Sequence, residues 1–174
     1  MKRGRCDGIG PRKDAEMKRM QAAPQMQAII TAIAVKHQLP LDRVGASMRL
    51  DQPGYQRLCI EVIGRNQISV AHYADINGDL VHDPEIVFFT DPRTQQWLPI
   101  AIGQVFGGWR ETARLMRDAS AVLAFEPYRQ ADIADFAEST WAPNLRAQGW
   151  IDVATPTRID RAEPDPTDEQ RLAA

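Results

Sequence analysis

His72, Asp83 and Glu85, with Glu61 upstream, are the residues whose types and spacing could do chemistry. An imidazole beside two carboxylates can hold a divalent cation or pass a proton. They belong to a polar stretch, His72 to Glu85, that also holds Asp75, Asp79 and His82. Register decides whether they meet. Asn77-Gly78 lies between two strand-like runs, and a two-residue turn there needs positive φ at both positions. Ile76 then faces Asp79, Tyr73 faces His82 and His72 faces Asp83, so His72, Asp83 and Glu85 share a face. A one-residue slip reverses every side chain. Pro84 cannot donate to a ladder and marks a bulge or an edge. The bland alternative makes His72 a half-buried strand residue bonded to Asp83, with Asp79, His82 and Glu85 in solvent. It is the favoured one, because the spacing matches no standard zinc or calcium motif. No metal or cofactor is expected.

Other reactive residues read as structural. Cys59 alternates with Glu61 on a strand, and a neighbouring carboxylate raises a thiol pKa, so a core cysteine is expected. His37 sits at a helix end, where it favours the dipole. Gly103-x-x-x-Gly107-Gly108 lacks the Lys-Ser/Thr of a phosphate loop, and no Gly-x-Ser-x-Gly is present.

The elements that must position these residues are those of an α+β domain. Met26, Ile29, Ile30 and Ile33 form a helical stripe behind Pro24, predicting a helix to about Gln38, before Pro40. Strands are predicted over 57–63 and 67–75, joined by the turn Gly64-Arg65-Asn66, and over 86–89. Residues 45–50 and 97–105 add outer strands, giving an antiparallel meander of four to five. Trp109, Ala113, Met116, Ala119 and Leu123 are spaced for a helix from 109 to about 125. A further helix is predicted from 131 to 141, continued from Asn144 to Gln148. Gly149 is the expected left-handed residue after it.

Charge is uneven along the chain. Residues 1–19 carry seven Lys or Arg against three acids, and residues 152–174 carry six acids against three Arg. The expected organisation is a disordered basic arm at 1–19, one domain at 20–152 and a disordered acidic Pro-rich tail at 153–174. The net charge of −2 argues against a nucleic-acid binder by bulk charge. Nothing resembles a secretory signal, and no apolar run is long enough to span a membrane. Two cysteines suggest no disulfide framework. The cytoplasm is the expected compartment.

Two segments carry a resemblance. One is Glu61-Val-Ile-Gly64 through Ser69-Val-Ala-His-Tyr73, then Asn77-Gly-Asp-Leu80 and Asp83-Pro-Glu85. The other is Trp141-Ala-Pro-Asn-Leu145 through Gln148-Gly149-Trp150. Together they resemble a bacterial "domain of unknown function" family found on plasmids, integrated elements and phages, over about residues 25–152. That resemblance implies genomic company and a boundary, with no catalytic residues to transfer.

Three functions follow as expectations. The first is a non-enzymatic interaction domain of a mobile genetic element, an anti-defence or maintenance factor with a protein partner. Its contact surface would be Tyr73, Asp79 and His82, joined by exposed Trp97 and Trp109. The second is a small metal-dependent enzyme using His72, Asp83, Glu85 and Glu61. The third is a nucleic-acid accessory protein acting through residues 1–19.

Overall fold

The computed structural model describes residues 19–76 and 78–162. Helix α1 spans Pro24–His37 and ends on Gln38 at φ 56°. Met26, Ile29, Ile30 and Ile33 are buried, as the stripe predicts. No side chain of its own caps the N-terminus. Instead the Glu138 carboxylate accepts hydrogen bonds from the Gln25 and Met26 amides at 2.9–3.1 Å. A residue over a hundred positions away thus satisfies donors that every helix start leaves open.

The chain then builds β1 (Ser47–Asp51), β2 (Arg57–Gly64), β3 (Gln67–Ile76), β4 (Asp79–Thr90) and β5 (Trp97–Gln104). These correspond to the expected meander. The sheet is larger, however. Among the described residues it has seven antiparallel strands in the order β6-β5-β4-β3-β2-β1-β9. Strand β6 (Gly108–Glu111) extends one edge. Strand β9 (Thr155–Asp160) returns to pair with β1 at the other. Strands β7 (Ala113–Leu115) and β8 (Val122–Phe125) form a separate ribbon.

The helix expected over 109–125 is therefore absent, replaced by β6, β7 and β8. Its apolar spacing fits a helix, but tertiary demand overrides it. β5 has an edge to pair, and the Thr112 amide bonds Ile100 O at 2.8 Å just beyond β6. The Val87, Phe89, Leu98 and Ile100 patch also needs a cover, and Leu115, Val122 and Phe125 of the ribbon supply it. Residues 155–160, placed in the tail by composition, join the sheet. Thr155, Thr157 and Ile159 suit a strand, and an edge tolerates Pro156.

Helix α2 (Pro127–Asp135) runs through a π-helical turn, Phe136–Trp141, into α3 (Ala142–Ala147). Gly149 follows at φ 80°, as expected of a residue ending a helix. The helices cover one face of the sheet. Leu58, Ile60, Ile68, Val70, Ile86 and Phe88 meet Ile133, Trp141 and Leu145 there. Burial of each such side chain stabilises the fold by about 1.5–3 kcal/mol. Trp97 belongs to this core, only 5% exposed and 5.6 Å from the Phe88 ring, so it is not a contact aromatic. No described helix is long and apolar enough to cross a membrane.

Candidate functional site on the open face of the sheet

Register separates the predicted cluster. Ile76 pairs with Asp79 and Tyr73 with His82, as the turn requires. Asn77 lies outside the described residues, and Gly78 has φ 90°. The ladder then slips by one residue, and Ala71 pairs with Glu85. This is the bulge that Pro84 marks, and the Asp83-Pro84 bond is cis. The slip puts Glu85 on the face of Ala71, opposite to His72. The metal set of His72, Asp83, Glu85 and Glu61 therefore does not converge. Among the described residues, no three His, Cys, Asp or Glu side chains are placed to hold a metal.

His72 faces the helices. Its ring lies 5.8 Å from Trp141 and 5.3 Å from Trp150. Its Nδ1–H donates to Gln56 O at 3.0 Å, rather than to Asp83. Burial lowers its pKa. His72 is a structural residue of the core margin.

His82 takes its place beside Glu85, with Nδ1 3.5 Å from Oε2. Ser69 Oγ donates to Glu85 Oε1 at 2.6 Å. Tyr73 and Trp109 stand edge-on to the His82 ring, each at 6.3 Å. Gly103 makes this packing possible. A Cβ there would lie 2.5 Å from His82 Nε2 and 2.9 Å from Trp109 Cε3. Trp109 remains 47% exposed. Asp79 is exposed at the hairpin tip, and Asp83 is exposed too.

Ser69, Tyr73 and Glu85 line a groove of ≈ 1210 Å³ on the face that the helices leave open. Strand alternation builds its floor. Arg49, Cys59, Ala71 and Glu85 form one cross-strand row. Asp51, Arg57, Tyr73 and His82 stand beside that row, with Ser47, Glu61 and Ser69 on its other side. The loop 52–56, with exposed Tyr55, and Thr155 and Thr157 of β9 complete the walls.

The electrostatics of the groove are mixed. Arg57 forks onto Asp51, with Nε–Oδ1 2.6 Å and Nη2–Oδ2 2.9 Å. Its hydrogen bonds hold the Asp51 carboxyl below the usual carboxylate range. Burial pushes up the Cys59 thiol against the opposing pull of Arg49 and Arg57. Cys59 thus faces the groove rather than the core, and it is no activated nucleophile. Burial, then the Glu85 charge, raises the Tyr73 phenol. The arrangement can recognise charged and hydrogen-bonding groups.

Sequence reasoning singled out Tyr73 and His82 as contact residues, grouped Glu85 and Glu61 with His72 instead, and missed Arg49, Asp51, Arg57 and Ser69. The missed residues carried a signal, since they are the polar alternates of strands whose other alternates are core.

No curated protein and no solved structure matches the chain. Residues 25–151, from α1 to just past α3, match the family described as Domain of unknown function (DUF6908), and the chain belongs to that family.

Proposed function

We propose that this protein is a protein-binding module that receives an extended segment of a partner on the open sheet face. The groove carries this reading. At ≈ 1210 Å³ and open along one side, it is larger than the roughly 300–1,000 Å³ of small-molecule pockets. Its lining combines the charged Arg49, Asp51, Arg57, Glu61 and Glu85 with the hydroxyl-bearing Ser47, Ser69 and Tyr73, suited to a polar chain laid across it. Tyr73 supplies an aromatic contact of the kind that anchors interfaces. The role in a mobile genetic element, as an anti-defence or maintenance factor, rests on the sequence resemblance alone. The nucleic-acid reading concerns residues 1–19, of which all but Arg19 lie outside the described residues.

The test is selection of peptides from a random library on the intact protein, followed by NMR mapping. Selected peptides should shift Arg49, Cys59 and Tyr73 and shield the Cys59 thiol from alkylation. Peptides that map to another surface, or that leave Cys59 as reactive as before, refute the reading.

A further inference from the structure

Arg49 on β1 and Arg158 on β9 are direct cross-strand partners. Met48 pairs with Ile159, and both turn toward the core. Alternation therefore turns Arg49 and Arg158 outward, onto the open face. Directly opposed side chains have Cβ atoms about 4.5–5.5 Å apart, and like charges so placed destabilise a sheet. Both residues are exposed, and neither guanidinium makes an ion pair or donates a hydrogen bond among the described residues.

One of the acids around the pair is already paired with a cation. Asp51, two residues along β1, holds Arg57. Asp160, two residues along β9, accepts from the Ala162 amide at 3.1 Å. Glu61 stands opposite Ser47, diagonal to Arg49. Two guanidiniums without an ion pair thus share this patch with the Glu61 and Asp160 carboxylates, which make no ion pair among the described residues either. Hydroxyl groups surround them. Ser47 shares the face of Arg49, and Thr155 and Thr157 line the same wall of the groove.

We propose that Arg49 and Arg158 form an anion-binding pair at the β9 end of the groove, which takes the dianionic phosphate of a phosphorylated side chain on the bound segment. This rests on the reading of the groove as a binding surface and names the chemistry of its ligand. The choice of anion follows from geometry and charge. One arginine fork already satisfies the two oxygens of a carboxylate. A phosphate monoester offers three acceptor oxygens and about −1.5 to −2 charge at neutral pH, which two forks and the nearby hydroxyls can share.

The test uses NMR of the arginine Nε–Hε and backbone amide signals in the full chain. Inorganic phosphate, O-phosphoserine and acetate serve as probes. Phosphate and O-phosphoserine should shift Arg49 and Arg158, and acetate should bind at least about tenfold more weakly. Arg49→Ala with Arg158→Ala should abolish the response, and Arg49→Lys should weaken it several-fold while keeping the charge. Acetate binding as well as phosphate, or a phosphate response surviving in the double variant, overturns the proposal. Selected peptides separate this proposal from the groove itself. If they still shield Cys59 while phosphate ignores both arginines, the anchor is wrong and the groove reading stands. If phosphate binds both arginines while no peptide shields Cys59, the anion pair is supported and the groove reading falls.

Discussion

Acidification through the histidine range should destabilise this protein, and His72 should carry much of the effect. The ring is wedged between the helices and the sheet, 5.8 Å from Trp141 and 5.3 Å from Trp150. Burial holds its pKa below the ordinary 6.5, and the weaker pull of the Gln56 and Arg57 backbone does not restore it. The unfolded chain takes up its proton near pH 6.5. Below that pH, and above the lower native value, the unfolded state binds a proton that the native state does not. Stability is therefore complete above the unfolded value and falls as the pH drops. One such proton sets a ceiling of about 1.4 kcal/mol per pH unit on the slope. A cation over an aromatic face recovers about 0.5–2 kcal/mol. Here the rings are tilted by 53° and 55°, so that compensation is incomplete. His37 also has a lowered pKa, from burial and then the Lys36 charge, and needs its own control. The assay is urea unfolding followed by circular dichroism between pH 8 and pH 5, for wild type, His72→Phe and His37→Gln. His72→Phe should lose about 1 kcal/mol at pH 8 with the Gln56 hydrogen bond. Its pH slope should be flatter than that of wild type. A full wild-type slope in His72→Phe, or stability that rises with acid, would refute the reasoning.

Three other perturbations test other parts of the structure. Glu138→Ala removes the tertiary cap of α1 and should cost about 1–2 kcal/mol in denaturant melts, with Glu138→Gln milder; an unchanged midpoint would show that the cap contributes nothing. Gly103→Ala places a methyl group against His82 and Trp109, which can swing outward because both are partly exposed. The cost should stay near the lower end of about 1–3 kcal/mol, and the indole emission of Trp109 should move to longer wavelength; an unmoved spectrum would contradict the close packing. In a Cys6→Ser background, Cys59 should alkylate at least about tenfold more slowly at neutral pH than free cysteine, because burial raises its thiol pKa. Denaturant should restore the free rate, and a fast native rate would contradict its burial.

Much of the fold was legible because local chemistry and tertiary demand agree over long stretches. α1 has a proline start and an apolar stripe that nothing opposes. The five strands of the meander alternate or carry dense β-branched residues between turn signals. Residues 109–125 were misread because apolar spacing at helical intervals does not record the unpaired edge of β5 or the uncovered patch around Phe89. β9 was misread because composition alone made 153–174 a tail, whereas β1 offered its short segment an open edge.

The sequence by itself determined the α+β class, α1, the central hairpin at Gly78 and the concentration of polar residues from His72 to Glu85. It also marked Pro84 as a point where a ladder must break. Only the tertiary structure decided which way that break turned the side chains. One extra residue in β4 sends Glu85 to the open face and leaves His72 among the tryptophans, because strand faces alternate with a period of two. His82 inherits Glu85, and Arg158 of β9 reaches the surface of Arg49 and Arg57 from a strand far along the chain. Sequence spacing reports neighbours along a strand and the tight turns between strands, whereas the site is a row across the sheet whose outer pairing, β1 with β9, no local pattern encodes.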